Sequence, residues 1–184
     1  MAKLQQLNVR YDPTEDRLLV TLRDSDLSDI YLYFTRRFSQ LLMRVLEQVT
    51  RKNLAREYRP AEGELEGGQL AQALPGIAQF ERQQALQQLD FSTPTAAHTP
   101  PAATPLGKSP LLANRIDYHL QSSGALQLTV VTIKQQSINM SLDQKMIFGL
   151  QKLLHDGITR AEWNLSTAVN HAEKEVTEPS RLLH

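Results

Sequence analysis

The apolar positions of the chain change period twice, and the change recurs. From Arg17 to Leu22 and again from Ile30 to Phe34 they fall on alternate residues, which puts Leu18, Val20, Leu22, Ile30, Leu32 and Phe34 on the inward faces of two strands. After Thr35 the spacing becomes helical, with Phe38, Leu42, Val45 and Leu46 on one face. Adding 108 to each number reproduces the pattern: Leu126, Leu128 and Val130; Ile138, Met140 and Leu142; then Met146, Leu150, Leu153 and Leu154 after Asp143. Thr35 and Asp143 can both accept a hydrogen bond from the first helical turn and cap it. The strands Leu4 to Tyr11 and Arg115 to Leu120 precede the two copies, so each half reads βββα.

The fold class expected is α+β, a tandem duplication of a βββα unit whose antiparallel sheets pack against two long helices. Small units bury a low fraction of their surface, so the halves are expected to share a core. The units are 1–60 and 111–176, joined by an acidic, glutamine-rich connection at 61–92 and a Pro-rich linker at 93–110, with a tail at 177–184. The connection is read as a middle helix from Gln69 to Asp90, interrupted at Pro75-Gly76, with Leu70, Ala73, Ile77 and Phe80 on one side. Five prolines in 93–110 predict a mobile, extended linker. The second helix is expected to run to about Glu175. Gly149 and Gly157 inside it each cost about 1 kcal/mol relative to alanine, which calls for a close backbone crossing.

Lys plus Arg and Asp plus Glu both total 20 over 184 residues, so no net field draws the chain to nucleic acid or to anionic lipid. Residues 1–60 nevertheless carry 11 basic and 8 acidic side chains, and a basic patch is expected there if anywhere. The absence of cysteine excludes disulfides and thiolate chemistry. No apolar run is long enough for a membrane span and Met1 to Asp12 lacks a signal-peptide core, so the expected location is cytoplasmic.

The segments YDPTEDRLLVTL, YLYFTRRF and HDGITRAEWNL resemble a family of conserved, uncharacterised bacterial proteins, mostly proteobacterial. The resemblance covers most of the chain apart from the linker and implies a bacterial cytoplasmic protein; it carries no activity, cofactor or catalytic residue. At the level of topology alone, tandem strand-rich units that each end in a helix are similar to the PUR and Whirly folds that bind single-stranded nucleic acid. Those folds have one more strand per unit, and no motif of theirs is present.

No catalytic or cofactor motif stands out. The five histidines show no paired ligand spacing, so no metal is expected. Asp24 to Asp29 lacks the glycine and the terminal glutamate of a calcium loop and reads as a solvated turn. No glycine-rich phosphate loop and no GxSxG elbow is present, and a non-enzymatic protein without cofactor is expected. Two surfaces remain as candidates. Tyr31 and Tyr33 share the strand face opposite Leu32, beside Arg36 and Arg37, and aromatics with guanidinium groups suit stacked bases and phosphates. The plainer role for the tyrosines is to cover another layer, because Asn139 and Ser141 stand in their place in the second copy. Arg37, Arg44 and Arg51 recur every seven residues as a stripe on the first helix, with Glu47 placed to pair with Arg51. Such a stripe is most simply a solvated face; an acidic partner is the sharper reading, and Glu62 to Glu66 of the same chain could serve. Trp163, with Ile158 and Leu165, is a candidate protein interface, Trp163 falling outside the apolar stripe of the second helix. The function expected is a non-catalytic binding or scaffold protein acting through protein contacts and self-association as a homo-oligomer. Single-stranded nucleic-acid binding is the alternative.

Overall fold

The computed structural model describes residues 4–58, 67–89 and 103–164. Along the chain run β1 (Leu4–Asp12), β2 (Arg17–Asp24), β3 (Asp29–Phe34), α1 (Arg36–Glu57), α2 (Gly67–Gln87), β4 (Leu111–Leu120), β5 (Leu126–Thr132), β6 (Ser137–Leu142) and α3 (Gln144–Arg160). The protein is α+β, as expected. The six strands form one mixed sheet in sequence order rather than separate antiparallel sheets. Neighbours within each half pair antiparallel, and a short parallel seam, Leu32 with Leu111 and Tyr33 with Leu112, joins β3 to β4. A parallel pair needs a crossover, and α1 and α2 supply it.

The hairpin turns explain how tightly each half is wound. Asp24 Oδ1 accepts from the amides of Asp26 and Ser28, both at 2.9 Å, so the polar loop between β2 and β3 satisfies itself. In the second half the Thr132 hydroxyl takes the amide of Gln136 at 3.2 Å. Leu27 has φ +58° and Gln135 φ +60°, while Asp16 has φ +49° and Gly124 φ +89°. Each member of these pairs stands 108 positions from its counterpart.

Both long helices start where their caps put them. Thr35 accepts from the amide of Phe38 at 3.2 Å, and Asp143 from that of Met146 at 2.8 Å. Their inward faces close the apolar face of the sheet, where Leu18, Leu32, Leu126, Leu142, Leu46 and Leu154 are all fully buried. The helices are exchanged between halves: α1 packs on β2 and β4, and α3 packs on β1 and β6 as well as on α1. Polar ties fix both helix ends. Asn53 Nδ2 donates to the Gly124 carbonyl at 2.9 Å and Arg56 to the Ser122 carbonyl at 2.7 Å, so the end of α1 grips the β4–β5 turn. At the end of α3, Trp163 Nε1 donates to Asp16 in the β1–β2 turn at 2.9 Å.

Several expectations are corrected. The second helix stops at Arg160 instead of running on to Glu175, because the chain turns at Glu162 (φ +53°) and brings Trp163 back onto the core. The middle helix is not interrupted at Pro75-Gly76; both residues are exposed, and the bond that Pro75 forfeits faces solvent. Its packed side runs through Leu74, Ile77, Ala78, Glu81 and Ala85, while Ala73 and Phe80 are exposed; the side chain of Leu70 lies outside the described residues. This side rests on α1 and α3, helped by the Tyr58 hydroxyl donating to Glu81, which pushes the phenol up to about 12. Residues 93–102 of the linker lie outside the described residues, but the largely exposed stretch Ala103 to Pro110 is tied down at two points: the Ala103 carbonyl accepts from the Asp29 amide at 2.9 Å and Leu106 leans on the core. The glycines in α3 meet side chains, not a crossing backbone. A Cβ at Gly149 would come 2.8 Å from Leu89 Cδ1, and one at Gly157 would come 3.0 Å from Leu18 Cδ2.

Leu27 is 39% exposed and held at positive φ, a conformation that costs a non-glycine residue about 1–3 kcal/mol. Leu27→Gly is therefore expected to raise stability by about 1 kcal/mol in urea denaturation. A lowered midpoint would show that its side chain contributes more packing than its backbone costs.

Candidate binding surface

The register of β2 and β3 decides what the tyrosines can do. Leu18, Val20 and Leu22 pair with Phe34, Leu32 and Ile30 on the helix side, which leaves Leu19 opposite Tyr33, Thr21 opposite Tyr31 and Arg23 opposite Asp29 on the other face of the sheet. Tyr31 and Tyr33 thus do share a face, one pleat apart, and both are half-buried. Neither ring stands free. The Tyr33 hydroxyl donates to Asp12 Oδ2 at 2.8 Å, reaching back to β1, and the Arg17 guanidinium lies 5.7 Å from its ring centroid. Leu19 opposite it is 7% exposed. The Tyr31 hydroxyl donates to Asp29 Oδ2 at 3.0 Å.

Asp29 is also the acceptor of a forked pair from Arg23, Nε to Oδ1 at 2.6 Å and Nη2 to Oδ2 at 2.8 Å, with both side chains almost wholly covered. Arg23 holds the Asp29 carboxyl below the usual carboxylate range, more than its burial raises it, and the Arg23 guanidinium is raised in turn. The bond from Tyr33 likewise lowers Asp12, and the same bond raises the Tyr33 phenol; Tyr31 is raised first by burial and then by Asp29. On the second half of this face Gln127 is bonded to Ser141 at 2.9 Å and Thr129 to Asn139 at 2.7 Å. The polar groups of this face are therefore bonded to one another around the buried Leu19 and Val131. The sequence reading missed Asp12, Arg17, Arg23 and Asp29; the hairpin turn carried the signal, since it sets Arg23 and Asp29 opposite each other.

The arginine stripe is elsewhere. Arg37, Arg44 and Arg51 are exposed on α1, on the far side of the helix layer, so the tyrosines and the stripe do not form one surface. Arg36 points another way and donates to the Asn164 carbonyl at 3.3 Å. Among the described residues no carboxylate pairs with Arg37, Arg44, Arg51 or Lys52, and the expected Glu47 to Arg51 pair is not formed. Leu41, 49% exposed, sits between Arg37 and Arg44 on the same outward face, and Gln48 follows it.

The candidate interface on the second helix is corrected outright. Ile158 is 8% exposed and Trp163 6%, and both belong to the core; Leu165 lies outside the described residues. Trp163 stacks edge-on against Tyr11 at 6.1 Å, and Asp16 accepts from both its indole and the Tyr11 hydroxyl. These two bonds, the indole's first, hold the Asp16 carboxyl below its ordinary value. With Met43, His155 and Thr159, Ile158 and Trp163 line a groove of about 530 Å³. Among the described residues no three histidine, aspartate or glutamate side chains come together as metal ligands would, and no helix is long and apolar enough to cross a membrane. Comparison with protein-family models, with curated proteins and with solved structures finds no match.

Two outcomes follow from these contacts. Arg23→Met strands a buried carboxylate and is expected to cost about 3 kcal/mol, the low end for breaking a buried pair, whereas Arg23→Met with Asp29→Leu recovers most of it in the same urea titration. Asp16 and Asp12 are depressed in the folded state, so their contribution is complete above the unfolded carboxylate range and is lost as pH falls through the lower folded values. Acid titration of Trp163 fluorescence should show a red shift below about pH 4. In Asp16→Asn that component should vanish while the emission at neutral pH stays that of a buried indole.

Proposed function

We propose that the chain is a non-catalytic binding protein that engages an acidic protein surface through the outward face of α1. The observation that carries this reading is the set of Arg37, Arg44, Arg51 and Lys52, exposed and without carboxylate partners among the described residues, around the exposed Leu41. Self-association was suggested by Ile158 and Trp163, which are core residues, and the proposal does not rest on them. The single-strand reading needed tyrosine rings free to stack, and both hydroxyls and one ring face are already engaged. It also needed tyrosines and arginines on one side.

We also infer that the two βββα halves are tandem copies. The shared 108-residue offset of the apolar pattern, of the caps Thr35 and Asp143, and of the positive-φ positions Leu27 with Gln135 and Asp16 with Gly124 supports the inference.

Fluorescence anisotropy with labelled polyglutamate and with a labelled single-stranded oligonucleotide, each at low and at physiological salt, tests the function. Polyglutamate is expected to bind, and Arg37→Glu/Arg44→Glu/Arg51→Glu to weaken it at least tenfold with unchanged circular dichroism. Oligonucleotide binding that is tighter than polyglutamate and is lost in a folded Tyr31→Ala/Tyr33→Ala variant would overturn the reading in favour of nucleic acid.

A further inference from the structure

The sheet is open, and its unpaired strand edges are guarded differently. β1 has a register shift between Leu4 and Gln6 and carries Arg10 and Asp12. β4, which has no β3 partner beyond Leu112, has a shift between Ala113 and Arg115 and bears the ion pair of Arg115 with Asp117 at 3.0 Å. Bulges and charges of this kind keep a strand edge from pairing with another chain. β6 has neither. Its sequence SINMSL holds no charge and no proline, its register is unbroken, and among the described residues nothing hydrogen-bonds to its outer side.

The backbone direction of β6 follows from the turn before it. The Thr132 amide donates to the Gln136 carbonyl at 2.9 Å, and this pair continues the register that sets Val131 opposite Ser137. Bonded pairs alternate in an antiparallel ladder, so Ile138, Met140 and Leu142 turn their amides and carbonyls to β5. Ser137, Asn139 and Ser141 turn theirs outward. Their side chains are exposed on the polar face of the sheet, while Ile138 and Met140 are buried on the helix side.

We propose that β6 pairs antiparallel with β6 of a second copy of this chain, across a two-fold axis at Asn139, joining two sheets into one. The inference is independent of the acidic partner, which concerns α1. Residues opposite each other in an antiparallel pair share a face. A copy turned about Asn139 therefore sets Ser137 against the partner's Ser141, Ile138 against the partner's Met140 and Asn139 against the partner's Asn139. Polar meets polar, apolar meets apolar, and every outward amide and carbonyl of β6 finds a partner. The neighbouring register, turned about Met140, would need the carbonyl of Asp143 opposite Ser137, and that carbonyl already accepts from the Ile147 amide at 2.9 Å. An unrelated strand would have to supply the same alternation of polar and apolar residues. β6 carries it already, and a two-fold pairing closes with two copies.

The test combines light scattering of the full chain with single introduced cysteines, which report cleanly because the sequence has none. At about 100 μM the mass is expected to be twice that of one chain. Asn139→Pro removes an outward amide without touching the β5 ladder, and Asn139→Lys sets like charges against each other. Both variants are expected to have the mass of one chain with unchanged circular dichroism. Under mild oxidation Asn139→Cys should give a cross-linked dimer at least tenfold faster than Ser141→Cys, although both positions are exposed. In the first variant the two Cα atoms face each other at about 5.5 Å, within disulfide reach; in the second they are about 13 Å apart or more. The mass of one chain for the unaltered protein overturns the inference. So does a dimer that persists in the folded Asn139 variants, or cross-linking of Ser141→Cys as fast as that of Asn139→Cys.

Discussion

Everything in this molecule depends on the exchange of helices between its halves. Three strands with one apolar face cannot close a core, and a single helix drawn from so few residues leaves much of that face in water. Here α1 reaches over β4 while α3 reaches over β1, so each half supplies the cover that the other lacks. The exchange also accounts for the polar ties at the helix ends. Asn53 and Arg56 hold the carbonyls of the β4–β5 turn, and Trp163 holds Asp16 of the β1–β2 turn, so hairpin groups that would otherwise face solvent become the anchors of the opposite helix. Gln151 Nε2 donates to Thr50 at 3.3 Å where the helices meet, a pairing of two buried groups that fixes their relative register.

With the helix layer closed in this way, the opposite face of the sheet is held together largely by polar contacts. Its charges alternate across strands, Asp12 beside Arg17 and Asp29 beside Arg23, and its hydroxyl and amide groups bond to one another. A face so occupied pays twice to bind anything, first by breaking its own bonds and then by dehydrating the groups released. The outer face of α1 carries no such debt. Its arginines are hydrated and unpaired within the described chain, and one leucine among them is already half in water.

The sequence displayed the period of each element clearly and its partners poorly. Strand alternation and the caps at Thr35 and Asp143 were legible because they depend on residues two to four apart. The end of α3 was not, since Ala161 and Leu165 continue the helical spacing, and only the burial of Trp163 beside Asp16, 147 residues away in sequence, explains why the chain turns at Glu162. For the same reason Trp163 fell outside the apolar stripe on a helical projection, and the apolar Ile158 read as a partner interface: α3 meets both β1 and α1, and periodicity shows only that a face is apolar, never how many neighbours enclose it. The stripe on α1 was visible as Arg37, Arg44 and Arg51. The pairing of Tyr33 with Asp12, which takes the tyrosines out of contention, spans three strands and leaves no local mark.

If the halves are tandem copies, the informative positions are those where equal places in the fold carry unequal chemistry. Core positions keep their apolar character across the offset, because the exchanged helices impose the same volume on both. The hairpin positions Leu27 and Gln135 keep the same backbone and differ freely in side chain, as exposed turn residues can. The outer helix stripe follows neither pattern. On α3 the buried Gly149 lies against Leu89 and Lys152 pairs with Asp156, whereas on α1 Leu41 is exposed, Gln48 stands in place of the acid, and Glu47, one turn from both Arg44 and Arg51, pairs with neither. The proposed acidic partner rests on that contrast, an exposed leucine set among arginines that no carboxylate of the described chain engages.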